Sequence, residues 1–268
     1  MAHEDYAISG GEEGKQRLDL LADVLRPTTT NLLRQAGIGS GACCLDAGCG
    51  GGNVTRDLAQ LVGPAGQVTG VDFDPTIVEL ARRDAEAAGT TNVSFESADV
   101  RDFQGGPYDA VYARFLLSHV PAPADVLGHL IDQLAPGGAL VVEDVDFSGC
   151  FCEPPLAAFD RFVELYAGAV RAGGGDAYLG RRLPALVRQA GLVDAAWNVV
   201  QPMHAEGPAK DLQTVTMLRI APAVLRHRLA TQADIDEAVA AMTVFAQEPD
   251  TIVSFPRIVQ AWGRVPER

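Results

Sequence analysis

The feature that most constrains the fold is a regular alternation of strand-like and helix-like segments between residues 42 and 147. Short apolar runs predict five strands, and the segments between them carry apolar residues at helical spacing. The predicted strands lie in GACCLDAG, GQVTGVDFD, NVSFESADV, PYDAVYAR and ALVVEDVDF. Asp74 and Pro75 are typical of a helix start after the second strand. This rhythm predicts an α/β fold with a parallel sheet covered by helices on both faces.

The N-terminal segment and the late segment are predicted to cover this sheet. Residues 1–40 predict a helical lid of two amphipathic helices, because Pro27 interrupts the pattern. The runs DAAWNVV and TIVSFPRIVQAW predict the last two strands, and Pro256 predicts an edge or a bulge in the second.

Between these two strands, residues 204–247 predict an inserted helical cap. Its first helix is interrupted by Pro222, and its second begins at Thr231 with Asp234 in the position of a capping box. We expect one domain over residues 1–268, with its ligand-binding core at residues 41–150.

Composition restricts the possible partners. A formal net charge of −14 argues against nucleic acid, because affinity for a phosphate backbone depends on clustered Lys and Arg. No apolar run approaches the roughly 18 residues that span a bilayer, and the first residues lack a basic start and an apolar centre. We therefore expect a cytoplasmic protein without membrane insertion. The five cysteines have spacings that match no zinc framework, so we expect reduced thiols and no metal site.

The stretch LDAGCGGGN, after the first predicted strand, indicates a ligand-binding loop or a tight turn. A dinucleotide motif requires a third glycine where this chain has Asn53. The loop instead fits GxGxG, and Asp46 precedes it. Asp72 ends the second predicted strand, where a carboxylate can accept hydrogen bonds from both hydroxyls of a ribose, and Asp99 ends the third.

Taken in order, these motifs resemble those of the class I S-adenosylmethionine-dependent methyltransferases. The resemblance covers residues 42–147 and rests on LDAGCGGG, VTGVDFDP, SADV, YDAVYARFLLSHVP and LAPGGALVVED. The opening YAISGGEEGKQRLDLL and the late cap are similar to the small-molecule branch, which includes natural-product and ubiquinone-type enzymes. The resemblance implies a Rossmann-like sheet of seven strands with helices on both faces, and S-adenosyl-L-methionine as the cofactor.

The resemblance also implies a set of cofactor-binding residues. They are Asp46, Gly48, Gly50, Asp72, Phe73, Asp99, Val100 and Arg114. In this scheme Asp72 holds the ribose, Phe73 flanks the adenine, and Asp99 accepts from the adenine amine. The backbone carbonyl near Arg114, and Asp46 through water, receive the methionine ammonium. Each residue taken alone also fits a purely structural role, as a cap, a core side chain or a turn.

Candidate residues for the chemistry itself are fewer. His119 is a candidate general base because the pKa of histidine lies near neutral pH, although it also fits a structural role. Tyr6 is a second catalytic candidate. The acceptor pocket is predicted to involve His204, Met217, Met242 and Phe245. ARFLLS stands where the amino-methylating DNA and protein-glutamine branches carry NPPY or DPPY, which argues against those branches.

The expected activity is transfer of a methyl group to an oxygen, nitrogen or carbon of a small, partly apolar metabolite, such as a natural product, quinone or indole. In-line displacement needs alignment and exclusion of water more than it needs acid or base groups. Two alternatives stay open: a non-catalytic regulator that binds the same cofactor, and an NAD-dependent oxidoreductase. The sequence does not indicate an oligomeric state.

Overall fold

The computed structural model describes residue 8 and residues 11–267, apart from the side chains of residues 11–13. Helices and strands follow one another in this order: α1 (Gly11–Gln35), β1 (Cys43–Ala47), α2 (Asn53–Val62), β2 (Gln67–Asp72), α3 (Pro75–Ala87), β3 (Val93–Ser97), β4 (Tyr108–Arg114), α4 (Pro123–Asp132), β5 (Leu134–Asp146), β6 (Cys152–Glu153), α5 (Ala157–Ala172), α6 (Leu183–Gln189), β7 (Val193–Val200), β8 (Met203–His204), α7 (Leu212–Arg226), α8 (Gln232–Gln247), β9 (Ile252–Ser254) and β10 (Arg257–Arg264).

Seven strands form the central sheet in the order β3-β2-β1-β4-β5-β10-β7. The first five are parallel to one another, and β10 is antiparallel to both β5 and β7. A second, small antiparallel sheet is formed by three short strands in the order β6-β9-β8. The predicted α/β fold with a seven-stranded sheet is therefore confirmed, as is a pair of helices between the last two strands.

Alternation along the strands explains why helices cover both faces of the sheet. Leu45 and Leu140 are buried in one core together with apolar residues of α4 and α6. Cys44 and Val141, their chain neighbours, are buried in a second core with residues of α1 and α2. Successive side chains of a strand point to opposite faces, so both faces need an apolar cover.

Local helix signals in the sequence are confirmed at two places. The Asp74 carboxylate accepts a hydrogen bond from the Thr76 backbone N–H at 2.8 Å, and Pro75 is the first residue of α3. Thr231 and Asp234 form a reciprocal capping box at the start of α8. Each cap satisfies backbone N–H groups that the first helical turn leaves without partners.

Two proline predictions are wrong. Pro27 lies inside the continuous helix α1, and Pro222 lies inside α7. The buried stripe of α1 continues past Pro27, from Leu25 to Leu32, so packing outweighs the loss of one backbone hydrogen bond. The predicted pair of N-terminal helices is thus a single helix.

The prediction of one strand over TIVSFPRIVQAW is also wrong. The chain divides at Pro256 into β9 in the small sheet and β10 in the central sheet. Proline has no backbone N–H to donate to a ladder, so a change of sheet at this residue leaves no ladder bond missing. No helix within the described part of the chain is long and apolar enough to cross a membrane.

Candidate active site

A cavity of about 500 Å³ opens at the carboxyl ends of β1, β2 and β4. The strand order reverses between β1 and β4, which is where open α/β sheets bind ligands. Residues of α1, α5 and α7, together with Phe147 after β5, line the rest of the cavity. We call the part lined by the strand ends and the loops that follow them the sheet end, and the rest the helix end.

The structure brings most of the predicted site residues together in this cavity. The lining includes Asp46, Gly48, Gly50, Asp72, Phe73, Asp99, Val100, Arg114 and His119. Tyr6 lies outside the described residues. The residues predicted from the order of the motifs to bind the cofactor thus line one cavity.

Two glycines of the loop after β1 keep the sheet end open. Gly48 has a φ of 74° and Gly50 a φ of 51°, a region that side chains rarely adopt. A Cβ on Gly48 would lie 3.2 Å from Leu116, and a Cβ on Gly50 would lie 3.1 Å from Leu18. Both leucines line the cavity, so side chains here would narrow it.

The last glycine of the loop serves packing instead. A Cβ on Gly52 would lie 2.7 Å from the Phe95 ring, which covers β2. Asn53, at the position where a dinucleotide motif has glycine, begins α2 and donates from its side-chain amide to Asp19 at 3.0 Å. This contact connects the loop to α1.

Asp72 joins the glycine loop to the end of β2. Its Oδ2 accepts from the Gly50 N–H at 2.9 Å, and its Oδ1 accepts from the Asp74 N–H at 3.0 Å. Burial raises the pKa of Asp72, while these backbone donors act in the opposite direction. Each carboxylate oxygen has a second lone pair, so both remain able to accept from a diol.

Asp46 places a second carboxyl group under the loop, where it is almost fully buried. Its Oδ2 accepts from the Thr55 hydroxyl at 2.6 Å. Burial raises the pKa of Asp46 to about 6, against the effects of Thr55 and of the Arg114 charge. A cation that enters the sheet end would stabilise the ionised carboxylate. Thr55 was not predicted, although a threonine on the buried side of α2 is a signal for such a contact.

Asp99 lies two residues beyond the end of β3, so its predicted place at the end of that strand is wrong. Its carboxylate is held by the backbone N–H and the guanidinium of Arg101, which also lines the cavity. The hydrogen bond from the Arg101 side chain holds the pKa of Asp99 at about 2. Asp99 is thus anionic but already shared with a cation.

Arg114 ends β4 above a buried polar network. Its Nη1 lies 3.4 Å from the Thr29 hydroxyl, which donates to Glu143 at 2.8 Å. Glu143 also accepts from Tyr112 at 2.6 Å and from Gln260 at 2.7 Å. Sequence reasoning missed this network, although a glutamate inside the apolar strand LVVEDV is an unusual pattern. Three donors hold this buried carboxylate in place, and two members of the network, Tyr112 and Arg114, line the cavity.

His119 ends a short 3₁₀ turn, Leu117–His119, that follows β4. It is buried in the cavity wall, and burial together with the Arg17 charge lowers its pKa to about 4. The side chain is therefore neutral at neutral pH. The expectation that its pKa lies near working pH is wrong, because burial penalises the charged imidazolium.

The helix end of the cavity combines aromatic and basic side chains. Phe147 and Tyr166 are stacked with ring centroids 4.0 Å apart, and Phe162 lies beside them. Arg17 of α1 and Arg219 of α7 also line this end. None of these residues was predicted, because single aromatic or basic residues on amphipathic helices resemble core or solvated positions.

The predicted pocket roles of four residues are corrected by the structure. Met217 and Met242 are buried in the core among α5, α7 and α8, and Phe245 in a smaller core with Phe159. His204 packs against the Phe255 ring at 5.4 Å and is absent from the cavity wall. Apolar periodicity finds the buried stripe of a helix, but this stripe of α7 faces the core and another faces the cavity.

Two of the five free thiols, Cys49 and Cys150, line the cavity. Burial raises the pKa of both, so they are protonated and behave as small apolar wall residues. Among the side chains that the structure describes, no cluster of three or more His, Cys, Asp or Glu is suited to hold a metal ion.

Comparisons with known proteins find methyltransferases that are similar to this chain. A family model described as "Methyltransferase domain" matches residues 38–168. A ubiquinone biosynthesis O-methyltransferase of Xylella fastidiosa is 30% identical over 214 residues, which cover 76% of this chain and 75% of that protein. A demethylmenaquinone methyltransferase of Lactococcus lactis is 30% identical over 136 residues, or 50% of this chain and 52% of that protein. The chain spans about half the length of the first curated relatives it matches.

Among solved structures, a putative methyltransferase from Bacillus halodurans superposes with a TM-score of 0.58 at 20% identity, over 88% of this chain and 97% of that one. At this identity the likeness supports the fold alone. The chain belongs to the S-adenosylmethionine-dependent methyltransferase family, as its motif order predicted.

Proposed function

We propose that the protein transfers a methyl group from S-adenosylmethionine to an oxygen, nitrogen or carbon of a small, partly apolar metabolite. The observation that carries this proposal is the division of one cavity into two chemically different ends. Glycine backbone and buried carboxyl groups line the sheet end, and aromatic rings line the helix end. Both reactants can therefore occupy the same enclosed space, which in-line transfer requires.

The residues of the sheet end fit the proposed cofactor. Asp72 would accept from the ribose hydroxyls, and the bare backbone at Gly48 and Gly50 would allow close approach. Asp46, whose ionised form gains from a nearby cation, would face the positive end of the methionine portion. When bound, the cofactor supplies a methyl group already activated by the sulfonium.

For the adenine ring we propose the contacts predicted from the sequence and add a role for Arg101. Phe73 would flank the ring, and the Val100 N–H and the Asp99 carboxylate would meet its edge. Arg101 shares that carboxylate, so the adenine amine would take a lone pair that Arg101 leaves available. The backbone carbonyl of Arg114 remains the proposed acceptor for the methionine ammonium.

Other residues of the cavity wall would orient the acceptor and exclude water. The Phe147 and Tyr166 rings form an apolar wall, which strengthens every polar contact inside the cavity. His119 is neutral at working pH, so we assign it a hydrogen bond to the nucleophile rather than removal of a full proton before transfer.

The chemical class of the acceptor is proposed from the names of two relatives. Two relatives carry names of quinone-pathway methyltransferases, which supports a phenol-like or quinone-like ring. A role in secondary metabolism is proposed from the resemblance to the small-molecule branch. A cytoplasmic location is proposed from the cysteine pattern and the lack of long apolar runs, and the absence of a nucleic-acid partner from the net charge of −14. The oxidoreductase alternative is not favoured, because Asn53 replaces the required glycine.

Incubation with methyl-labelled S-adenosylmethionine and a fractionated small-molecule extract tests the proposal. We expect label in a product that passes an ultrafiltration membrane, and none with heat-denatured protein. Thermal unfolding with S-adenosylhomocysteine and with NAD is measured in parallel. A stabilising shift with S-adenosylhomocysteine, but no labelled product from any fraction, would support the non-catalytic regulator instead.

A further inference from the structure

We propose that the methyl acceptor carries a hydrogen-bond donor, a hydroxyl or an N–H group, and that the side-chain amide oxygen of Gln213 accepts from this donor. The proposal rests on the proposed function and narrows the class of its substrate. Gln213 lies in the first turn of α7 and lines the helix end of the cavity. None of the roles proposed above for the cofactor site or the nucleophile involves this residue.

Only one half of the Gln213 amide is paired. Its Nε2 donates to the Ser254 carbonyl at 2.9 Å. Its Oε1 is buried and has no hydrogen-bond partner among the described residues, although the residue belongs to the cavity wall. Turning the amide end for end would place Oε1 against the Ser254 carbonyl oxygen and leave the NH₂ group without that acceptor. A buried acceptor without a partner is unfavourable and uncommon, so this atom indicates a donor that binds at the wall.

The nearest polar side chain on the same helix face does not supply this donor. Thr216 is three residues further along α7 and also lines the cavity. Its hydroxyl donates to the Leu212 carbonyl at 2.6 Å and accepts from the Nε of Arg17 at 2.9 Å. The proton of the Thr216 hydroxyl is therefore already used within α7.

The wall around Gln213 is largely apolar. Leu212, its chain neighbour, and Phe255, which follows the Ser254 carbonyl, both line the cavity. They are buried in one core together with Ile258. An apolar surrounding strengthens a hydrogen bond that is made and penalises a polar group that makes none. The amide oxygen should therefore discriminate strongly between ligands.

The chemistry of the oxygen determines which ligands it selects. An amide oxygen accepts from a hydroxyl, an amine or the N–H of an aromatic ring, whereas an ether or carboxylate oxygen offers it only lone pairs. A site built to hydrogen-bond a hydroxyl rejects an analogue without it far more strongly than an apolar pocket rejects one methylene. We therefore expect a hydroxylated or N–H-bearing ring in the cavity, oriented by Gln213.

The test uses pairs of probes that differ in one donor. The protein is saturated with S-adenosylhomocysteine and titrated in a calorimeter with phenol and anisole, with hydroquinone and its monomethyl ether, and with indole and N-methylindole. We expect at least one probe to bind about tenfold or more tightly than its methylated partner. A panel in which no probe binds more tightly than its methylated partner would overturn the proposal. The extract assay with labelled S-adenosylmethionine tests the proposed function separately, so the two failures are distinguishable.

Variants of Gln213 then test the contact itself. Gln213→Leu should remove the preference for the donor-bearing probe, because the probes of a pair differ in size by the same amount in both proteins. Gln213→Met has a side chain of similar length, should give the same result, and decides the question if Gln213→Leu does not fold. A preference that persists in the folded variant would overturn the proposal. Weaker binding of S-adenosylhomocysteine at unchanged probe preference would also overturn it and place the amide on the cofactor.

Gln201 provides a matched control. Its Nε2 donates to the Phe255 carbonyl at 3.0 Å, so it holds the same segment as Gln213 does, but it does not line the cavity. Gln201→Leu should lower the thermal unfolding temperature and keep the probe preference of wild type. Equal loss of preference in Gln201→Leu and Gln213→Leu would show that only the position of the segment matters, which would overturn the direct contact.

Discussion

The two ends of the cavity differ in how the chain builds them. At the sheet end, each functional group lies within a few residues of a strand terminus, so chain order brings the groups together. At the helix end, α1, α5 and α7 contribute residues from positions 14 to 226, and only tertiary packing joins them. The residues proposed for cofactor recognition are therefore close to one another in the chain, whereas those proposed for acceptor recognition come from distant segments.

The difference extends to what the cavity wall tolerates. Gly48 and Gly50 both have a positive φ, and the Gly50 N–H donates to the Asp72 carboxylate, so we expect substitutions here to disturb the loop. The helix end is lined by side chains on regular helices, where substitution changes shape and charge without altering the loop. We expect mutations at the two ends to separate cofactor affinity from acceptor affinity.

The largest effect is expected at Asp72. Asp72→Ala removes the proposed ribose acceptor and leaves the Gly50 N–H without its partner, so the Kd for S-adenosylhomocysteine should rise about 100-fold or more. Isothermal titration calorimetry measures this change. Asp102→Asn, an exposed acid nearby, is the control and should bind like wild type. Equal affinities in the two variants would remove Asp72 from the cofactor site.

A large effect of a different kind is expected at Met217. This residue is fully buried in the core behind the cavity wall, so Met217→Ala should lower the free energy of unfolding by about 2–5 kcal/mol. The Kd for S-adenosylhomocysteine and the acceptor KM should stay unchanged below the unfolding temperature. Urea unfolding and steady-state kinetics check both. A selective rise in acceptor KM, without loss of stability, would return Met217 to the pocket wall.

Gly48 tests whether the bare backbone serves a ligand or only a turn. Gly48→Ala should cost about 1–2 kcal/mol of stability, because alanine is strained at positive φ, and should weaken S-adenosylhomocysteine binding about tenfold or more. Gly89→Ala is a matched control: its φ is 65° and its Cβ would meet nothing within 4 Å. Both variants should lose similar stability. If both also bound the cofactor like wild type, the loop would be a turn alone.

Asp46 should show opposite effects on stability and binding. Its folded pKa of about 6 lies above the ordinary value, so its ionisation opposes folding as the pH rises through 6. Asp46→Asn keeps an acceptor for Thr55 and should raise stability at pH 8 by on the order of 2 kcal/mol, with little effect at pH 4. Cofactor affinity should fall. Thermal unfolding across this pH range measures the first effect; a destabilised variant at pH 8 would contradict the account.

The smallest effect at neutral pH is expected at His119. Because its folded pKa of about 4 lies below the ordinary value, its neutral form stabilises the fold above pH 6.5, and this contribution is lost as the pH falls towards 4. His119→Gln should flatten that acid loss and reduce kcat less than about tenfold, without an inflection near pH 6.5. A kinetic pKa near 6.5 that disappears in the variant would restore the role of general base.

These contrasts explain which parts of the molecule were predictable from sequence. The alternation of strands and helices, the caps at Asp74 and Thr231, and the acids Asp46 and Asp72 near the ends of β1 and β2 were predictable because each depends on neighbours in the chain. Pro27 and Pro222 were misjudged because buried helix faces on both sides outweigh a local preference. The place of Met217 in the core, and of Arg219 in the wall, depends on how α7 is rotated between α1 and α5, which periodicity does not specify.

A crystal structure of the protein with S-adenosylhomocysteine tests the central claim most directly. The account predicts the ligand in the cavity described above, with its ribose hydroxyls hydrogen-bonded to Asp72, its amino group on the side of Asp46 and its sulfur facing Phe147 and Tyr166. A ligand bound elsewhere, or one whose ribose contacts Arg219 rather than Asp72, would contradict the division of the cavity into a cofactor end and an acceptor end.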